Sequence, residues 1–247
     1  MLVPRVKDFG KSDAGQKRSQ NEDAFVVRPE LGLFSVADGM GGAAAGDLAS
    51  SIFVGAATEV FSNTEAQSEQ ERVDTVNRAF KLAHKRIQES VKKHPDQLGM
   101  GCTAELLLLF NGRCVVGHVG DSRTYLFREN ELKQITKDHS IVQEQIDQGV
   151  ITAAEARKHR LRNVILRAVG VEDNLAVDVL RGTALPGDTF LLCSDGLTDM
   201  VDDMSIQKTL SSKLTVATKV EKLIELANSA GGYDNVTVVL CEILPEQ

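Results

Sequence analysis

Four aspartates occupy similar places along the chain. "FSVADG" reaches Asp38, "VVGHVGDS" reaches Asp121, "FLLCSDG" reaches Asp195, and "GGYDN" sets Asp234 just ahead of an apolar run. The first three close apolar, strand-like stretches. In an antiparallel sheet the start of one strand lies beside the end of its neighbour, so all four can collect on one rim. Carboxylates a few ångströms apart repel unless one binds a proton or a cation sits between them. With no lysine in these motifs, a cation is favoured. Oxygen ligands without clustered Cys or His favour Mg²⁺ or Mn²⁺ over Zn²⁺.

The residues after Asp38 support this chemistry. Gly39, Gly41 and Gly42 surround Met40. A backbone carbonyl can ligate an ion only if the chain approaches closely, and glycine permits that approach and the turns it needs. Gly39 is the candidate carbonyl ligand. Taken singly, Asp-Gly after a strand reads as a turn; four alike placements, together with "GMGG", favour a metal site. In "GQKRSQNEDAF", Arg18 precedes Glu22 and Asp23. An arginine fork matches two phosphate oxygens. Alone, Arg18 reads more simply as half of a surface ion pair of little energetic value.

The elements that must position these residues are legible in outline. Strand-like runs cover 24–28, 33–37, 104–110, 114–119, 123–127, 175–180, 189–194 and 235–243. "NGR" after Phe110 reads as a hairpin turn. Links this short cannot make parallel crossovers, so mostly antiparallel sheets are expected. Helices are expected at 43–61, 69–94 and 215–230, with a loop at 62–71. Val73, Val76, Phe80, Ala83, Ile87 and Val91 step by three or four and form one apolar face. Strands in runs and helices in separate runs mean an α+β fold. Two packed antiparallel sheets flanked by helices accommodate the count. Segment 139–163 is polar and rich in His and Arg, and reads as a surface flap.

Composition sets the outer bounds. The chain has 247 residues, 42% hydrophobic and 26% charged, which is ordinary for a globular protein. No linker, repeat or low-complexity tract divides it, so one domain spanning 1–247 is expected. The net charge of −7 argues against bulk binding to nucleic acid or an anionic membrane. Cys102, Cys114, Cys193 and Cys241 form no CxxC pair and read as reduced core thiols, placing the protein in the cytoplasm. No signal-peptide core is visible at the N-terminus, and the longest apolar run, "LLLLF", cannot span a bilayer.

The motifs together resemble the metal-dependent type 2C Ser/Thr protein phosphatases in their compact bacterial form. The resemblance rests on "RSQNEDAF" (18–25), "VADGMGG" (36–42), "GDSR" (120–123), "SDGL" (194–197) and "GGYDNVTVV" (231–239), in this order, with "TKDHS" (136–140) in support. It implies an α/β/β/α four-layer sandwich and covers about residues 8 to 243. It implies that Asp38, Asp195 and Asp234 hold a first Mn²⁺ or Mg²⁺, with Asp38 bridging to a second that the Gly39 carbonyl also meets. Asp121, with Asp195, would hold a weaker third ion. Glu22 and Asp23 would orient water around the metals, and Arg18 would clamp the substrate phosphate. The implied reaction is hydrolysis of phosphoserine and phosphothreonine in proteins by a water or hydroxide shared between two ions. Phosphoprotein partners, an opposing Ser/Thr kinase and a monomeric state are expected with it, and the flap would influence which phosphoprotein fits.

Two residues depart from the family pattern. Met40 stands where eukaryotic members often carry a histidine proposed as general acid, so the proton donor is left open between a water on the metals and His139. Cys102 stands where threonine is usual, and reads as a small packed residue. His118, inside a strand, reads as a hydrogen-bonded core or rim histidine. Rival chemistries lack their motifs. No cysteine is followed by arginine six positions on, no P-loop is present, and the antiparallel pattern opposes a dinucleotide fold. A catalytically weak phosphatase-fold protein acting as a binding or regulatory module is the alternative; retention of all four aspartates speaks against it.

Overall fold

The computed structural model describes residues 3–41, 45–64 and 68–245. The expectations at Gly42 and at the start of the 43–61 helix fall in part outside them, as do residues 65–67 of the expected loop. In chain order, β1 (Val6–Asp13), β2 (Asp23–Arg28) and β3 (Leu33–Met40) precede helices α1 (Gly46–Ser62) and α2 (Glu69–Lys93). Strands β4 (Gly101–Cys102), β5 (Ala104–Phe110), β6 (Arg113–Val119), β7 (Arg123–Arg128) and β8 (Glu131–Gln134) come next. Then follow α3 (Ile141–Asp147), α4 (Ala153–Ala156), β9 (Asp178–Thr183), β10 (Thr189–Cys193), α5 (Asp195–Thr198), α6 (Asp203–Leu210), α7 (Val216–Ser229) and β11 (Val236–Ile243).

One sheet runs β1-β11-β10-β7-β8. The other runs β2-β3-β5-β6-β9, with β4 paired to β3. Every strand pairing is antiparallel. Period-two alternation explains the layers. Phe34 and Val36 of β3 point between the sheets, where they meet Phe190 and Leu192 of β10 and Val239 and Cys241 of β11. Leu33 and Ala37 point the other way, onto Phe53 of α1 and Val76, Phe80 and Ile87 of α2. On the far side, Leu191, Val238 and Leu240 pack on Val220, Leu223 and Ile224 of α7. The result is the α/β/β/α sandwich.

Local chemistry sets the element ends. Ser68 caps α2 by accepting the Glu71 N–H at 3.2 Å, and Thr215 caps α7 by accepting the Thr218 N–H at 3.2 Å. Asn111 and Gly112 take positive φ of 44° and 69°, so "NG" makes the two-residue turn of the β5–β6 hairpin. Three strand readings need correction. The run expected at 175–180 pairs instead over 178–183, because Asp178 registers against His118. The lysines, aspartates and serine of β1 obscure its alternation, yet it pairs along its length with β11. The short β8, charged and at an edge, carries no apolar signal either. No helix among the described residues is long and apolar enough to cross a membrane.

Candidate metal centre

Alternation also decides where the acids go. Asp38 shares the face of Phe34 and Val36, so it points into the seam between the sheets at its open end. Asp23 lies directly across from it in the β2–β3 register. From the opposite sheet come Asp195, which starts α5 immediately after β10, and Asp234, two residues ahead of β11. Asp121 lies on the link from β6 to β7, where the chain passes from one sheet to the other. Arg18 and Glu22 lie on another such link at this rim, between β1 and β2. Asp38, Asp121, Asp195, Asp234, Arg18, Glu22 and Gly39 all line a single cavity of about 470 Å³. The geometric expectation that distant aspartates share one rim is met.

Gly39 is glycine for a packing reason. A Cβ there would lie 2.1 Å from the Gly46 carbonyl oxygen and 2.5 Å from that of Glu22. The strand therefore presses against the start of α1 and the β2 entry, and the Gly39 N–H donates to the Glu22 carbonyl at 3.1 Å. Gly41, by contrast, is needed for conformation, with φ at 140°.

Electrostatics marks the cavity as a cation site. Burial, then the charges of Asp23, Asp195, Asp121 and Asp234, holds the Asp38 carboxyl well above its ordinary range. Asp195 is raised likewise by burial, then Asp121, Asp199 and Asp234. Asp121 is pushed up to about 7 by burial and by Asp138, against the pull of Arg123. Such groups need a proton or a cation. The Asp195 Oδ1, at the cavity wall, is buried with no hydrogen-bond partner, and a buried oxygen of that kind calls for a ligand. The donor set is all oxygen, which suits Mn²⁺ or Mg²⁺. Among the described residues, however, no three His, Cys, Asp or Glu side chains already close on one point as a finished cage. Like charges hold these acids around the cavity, and Asp234 is turned to other partners. Its Oδ2 accepts from the Arg18 Nη2 at 2.8 Å and its Oδ1 from the Asn235 N–H at 2.8 Å.

Asp23 is not a wall of this cavity. Its Oδ2 accepts from the Ser194 hydroxyl at 2.8 Å and the Thr237 hydroxyl at 2.6 Å, both from the other sheet. Burial raises its pKa to about 6 despite those bonds. Several residues escaped the sequence reading. Thr103 lines the cavity, accepts the Asp38 N–H at 3.1 Å on its hydroxyl and meets the Ser122 hydroxyl at 2.7 Å. Asn235 accepts the Glu22 N–H at 2.8 Å and donates to the Ala14 and Gln20 carbonyls at 3.1 and 2.9 Å, fixing the loop that bears Arg18. Asn163 and Ile165 also reach the cavity. Asn235 follows Asp234 directly, a cue the sequence did offer; Thr103, Asn163 and Ile165 carried none.

The histidines divide as their neighbours dictate. His118 is fully buried, with Nδ1 against the Glu105 carboxylate and Nε2 donating to the Lys137 carbonyl at 2.8 Å. That is the core histidine expected. His139 does not line the cavity. Its Nδ1 accepts the Gly120 N–H at 3.1 Å and its Nε2 faces Asp178 at 3.3 Å, so it is not placed to protonate a leaving group. Met40 does line the cavity and has no proton to give. Cys102 is fully buried, and burial, then the Asp38 charge, pushes its thiol far above the usual range, as a packed residue requires.

Comparison with known proteins agrees with this geometry. The sequence profile of the family described as Protein phosphatase 2C matches residues 12–241. The chain belongs to the protein phosphatase 2C family. It is 38% identical over 236 residues to the serine/threonine phosphatase stp of Listeria monocytogenes, covering 94% of each chain. It is 40% identical over 237 residues to the serine/threonine protein phosphatase PstP of Mycobacterium tuberculosis, covering 95% of this chain and 44% of that protein. The crystal structure of the M. tuberculosis phosphatase superposes with a TM-score of 0.91 at 38% identity, covering 97% of this chain and 99% of that one. A structure of the PstP catalytic domain in complex with two manganese ions superposes with a TM-score of 0.89 at 36% identity, over 97% and 99%.

Proposed function

We infer that the chain is a metal-dependent serine/threonine protein phosphatase that hydrolyses phosphoserine and phosphothreonine in proteins. The observation carrying this is the convergence of Asp38, Asp121, Asp195 and Asp234, from four distant segments, on one cavity with Arg18 at its edge. Relatives of nearly the same length are named serine/threonine phosphatases. The catalytic domain of PstP carries two manganese ions.

The side chains present support a division of labour. Asp38, Asp195 and Asp234, with the Gly39 carbonyl, would hold two Mn²⁺ or Mg²⁺ ions, and Asp121 with Asp195 a weaker third. Bound there, the ions would supply Lewis acidity and an ionised water near neutral pH. Arg18 is half exposed and can swing its fork from Asp234 to a substrate phosphate. Glu22, at the cavity wall, and Asp23, hydrogen-bonded beneath it, are placed to orient water and neighbouring ligands. Thr103 and Asn235 keep the backbone of Asp38 and Glu22 in place. We take 1–247 as one catalytic domain with segment 139–163 as its flap. An opposing Ser/Thr kinase, a monomer and a cytoplasmic setting complete the reading; the four free, buried cysteines fit a reducing compartment.

The test is an assay on phosphoserine, phosphothreonine and phosphotyrosine peptides with Mn²⁺ or Mg²⁺ added and removed. Metal-dependent release of phosphate from the first two is expected. Full turnover in excess EDTA would refute the reading.

A further inference from the structure

Residues 157–167, "RKHRLRNVILR", hold five Lys or Arg and no Asp or Glu, in a chain whose net charge is −7. The run leaves α4 and returns toward β9. Asn163 and Ile165 reach the catalytic cavity. Arg157 and Arg162 line an adjoining cavity of about 200 Å³, which shares Asp121 and Asp195 with the first. Four of the five cations here are weakly held; the fifth, Arg167, donates to the Asp178 Oδ1 at 3.0 Å at the end of the run. Arg162 meets Asp199 at 3.5 Å and Arg157 meets Asp203 at 3.8 Å, both at the exposed surface, where such pairs contribute little. Lys158 and Arg160 have no ion pair or side-chain hydrogen bond among the described residues. Leu161, Val164 and Leu166 are interleaved and exposed.

We propose that residues 157–167 form a lip that receives the peptide flanking the phosphorylated residue and selects phosphosites with acidic neighbours. The inference rests on the phosphatase reading above and names its substrate class. Charge complementarity identifies the occupant: loosely paired cations interleaved with apolar side chains suit an acidic, partly apolar peptide. Continuity places it, because the same loop forms part of the catalytic wall. A solvated arginine-rich face would account for the charge but not for exposed leucine and valine beside the catalytic opening. A nucleic acid or anionic membrane would need a broad basic face, which a chain of this net charge does not favour.

The experiment compares three phosphothreonine peptides that differ only in flanking residues, acidic, neutral or basic, using the full chain with Mn²⁺. At low salt the acidic peptide should exceed the basic one by about tenfold in kcat/KM, mostly through KM, and added salt should shrink the ratio. A Lys158→Glu/Arg160→Glu variant should lose or invert that order while hydrolysing p-nitrophenyl phosphate as before. Equal kcat/KM on the three peptides would overturn the proposal, as would an acidic preference that survives in the double variant. Flank-independent turnover combined with variant-sensitive binding to anionic vesicles would also overturn it. Absence of metal-dependent turnover on every phosphopeptide and on p-nitrophenyl phosphate would sink the phosphatase reading itself, a result distinct from the others.

Discussion

His139 grips Gly120 from two sides: its backbone N–H donates to the Gly120 carbonyl at 2.7 Å, and its Nδ1 accepts the Gly120 N–H at 3.1 Å. The next residue is Asp121. The contact belongs to a longer seam. The Thr136 hydroxyl accepts the Thr124 N–H at 3.0 Å, the Lys137 carbonyl accepts from His118, and Asp138 takes a forked bond from Arg123. The His139 carbonyl in turn accepts the Leu166 N–H at 2.7 Å, so the same residue closes the base of the flap segment.

His139→Ala should leave the Gly120 N–H without its acceptor and cost about 1–3 kcal/mol of stability. It should also raise the Mn²⁺ concentration needed for half-maximal activity, because Asp121 loses its support. His139→Asn, which keeps an acceptor near the Nδ1 position, should recover much of both. Urea melts and a Mn²⁺ titration of activity check this; equal metal dependence in all three proteins would contradict it.

Asp38→Asn and Asp195→Asn should each lower kcat beyond the roughly 10–100-fold typical of disturbing a metal ligand's outer partners. In EDTA the same variants should melt at or above the parent temperature, since a crowded buried carboxylate has been removed. A large fall in melting temperature would mean that these acids serve the fold instead. Asp121→Asn should spare tight binding of two ions and weaken only a third, as calorimetric titration with Mn²⁺ would reveal.

Arg18→Ala should raise KM for a phosphopeptide by about tenfold, the worth of one charge-assisted hydrogen bond, and change kcat less. Steady-state kinetics at saturating metal supplies the measurement, and an unaltered KM would remove Arg18 from the phosphate.

The His118–Glu105 pair predicts an alkaline loss of stability. Burial pulls the His118 pKa down, but the Glu105 carboxylate, its hydrogen bond and the Lys137 carbonyl together push it up to about 9. Burial raises Glu105 as well, so both groups hold protons more tightly in the folded chain. The His118 contribution is therefore fully present below about pH 6.5, its unfolded value, and is lost as pH rises through about 9. Thermal melts in EDTA from pH 6 to 10 should show the decline, and His118→Gln should flatten it even if it lowers stability throughout.

All four thiols are buried, and burial raises their pKa values. Iodoacetamide at neutral pH should leave them unmodified in the native protein and label them on unfolding. Rapid native labelling of Cys102 would contradict its place as a packed core residue.

The sequence exposed what repeats a pattern and hid what depends on pairing. Asp38, Asp121, Asp195 and Asp234 were visible because each adjoins an apolar run, and Arg18 because it precedes an acidic pair. Glu105 was passed over inside "AELLLLF", although the "NG" turn after Phe110 sets it opposite His118 in the hairpin. The role of His139 depends on 136–139 lying along 118–124, which no local periodicity encodes. β1 stayed hidden because three lysine or aspartate side chains interrupt its first six residues, while its partner β11 supplies the register.

Asp23 belongs to one sheet and is hydrogen-bonded by Ser194 and Thr237 of the other. The gap across which the opposing acids face each other is thus inherited from the thickness of the apolar filling deeper in the seam, from residues such as Phe34, Leu107 and Phe190. Trimming that filling would alter the bite of the site without touching any of its members, so the catalytic rim and the interior cannot be retailored independently.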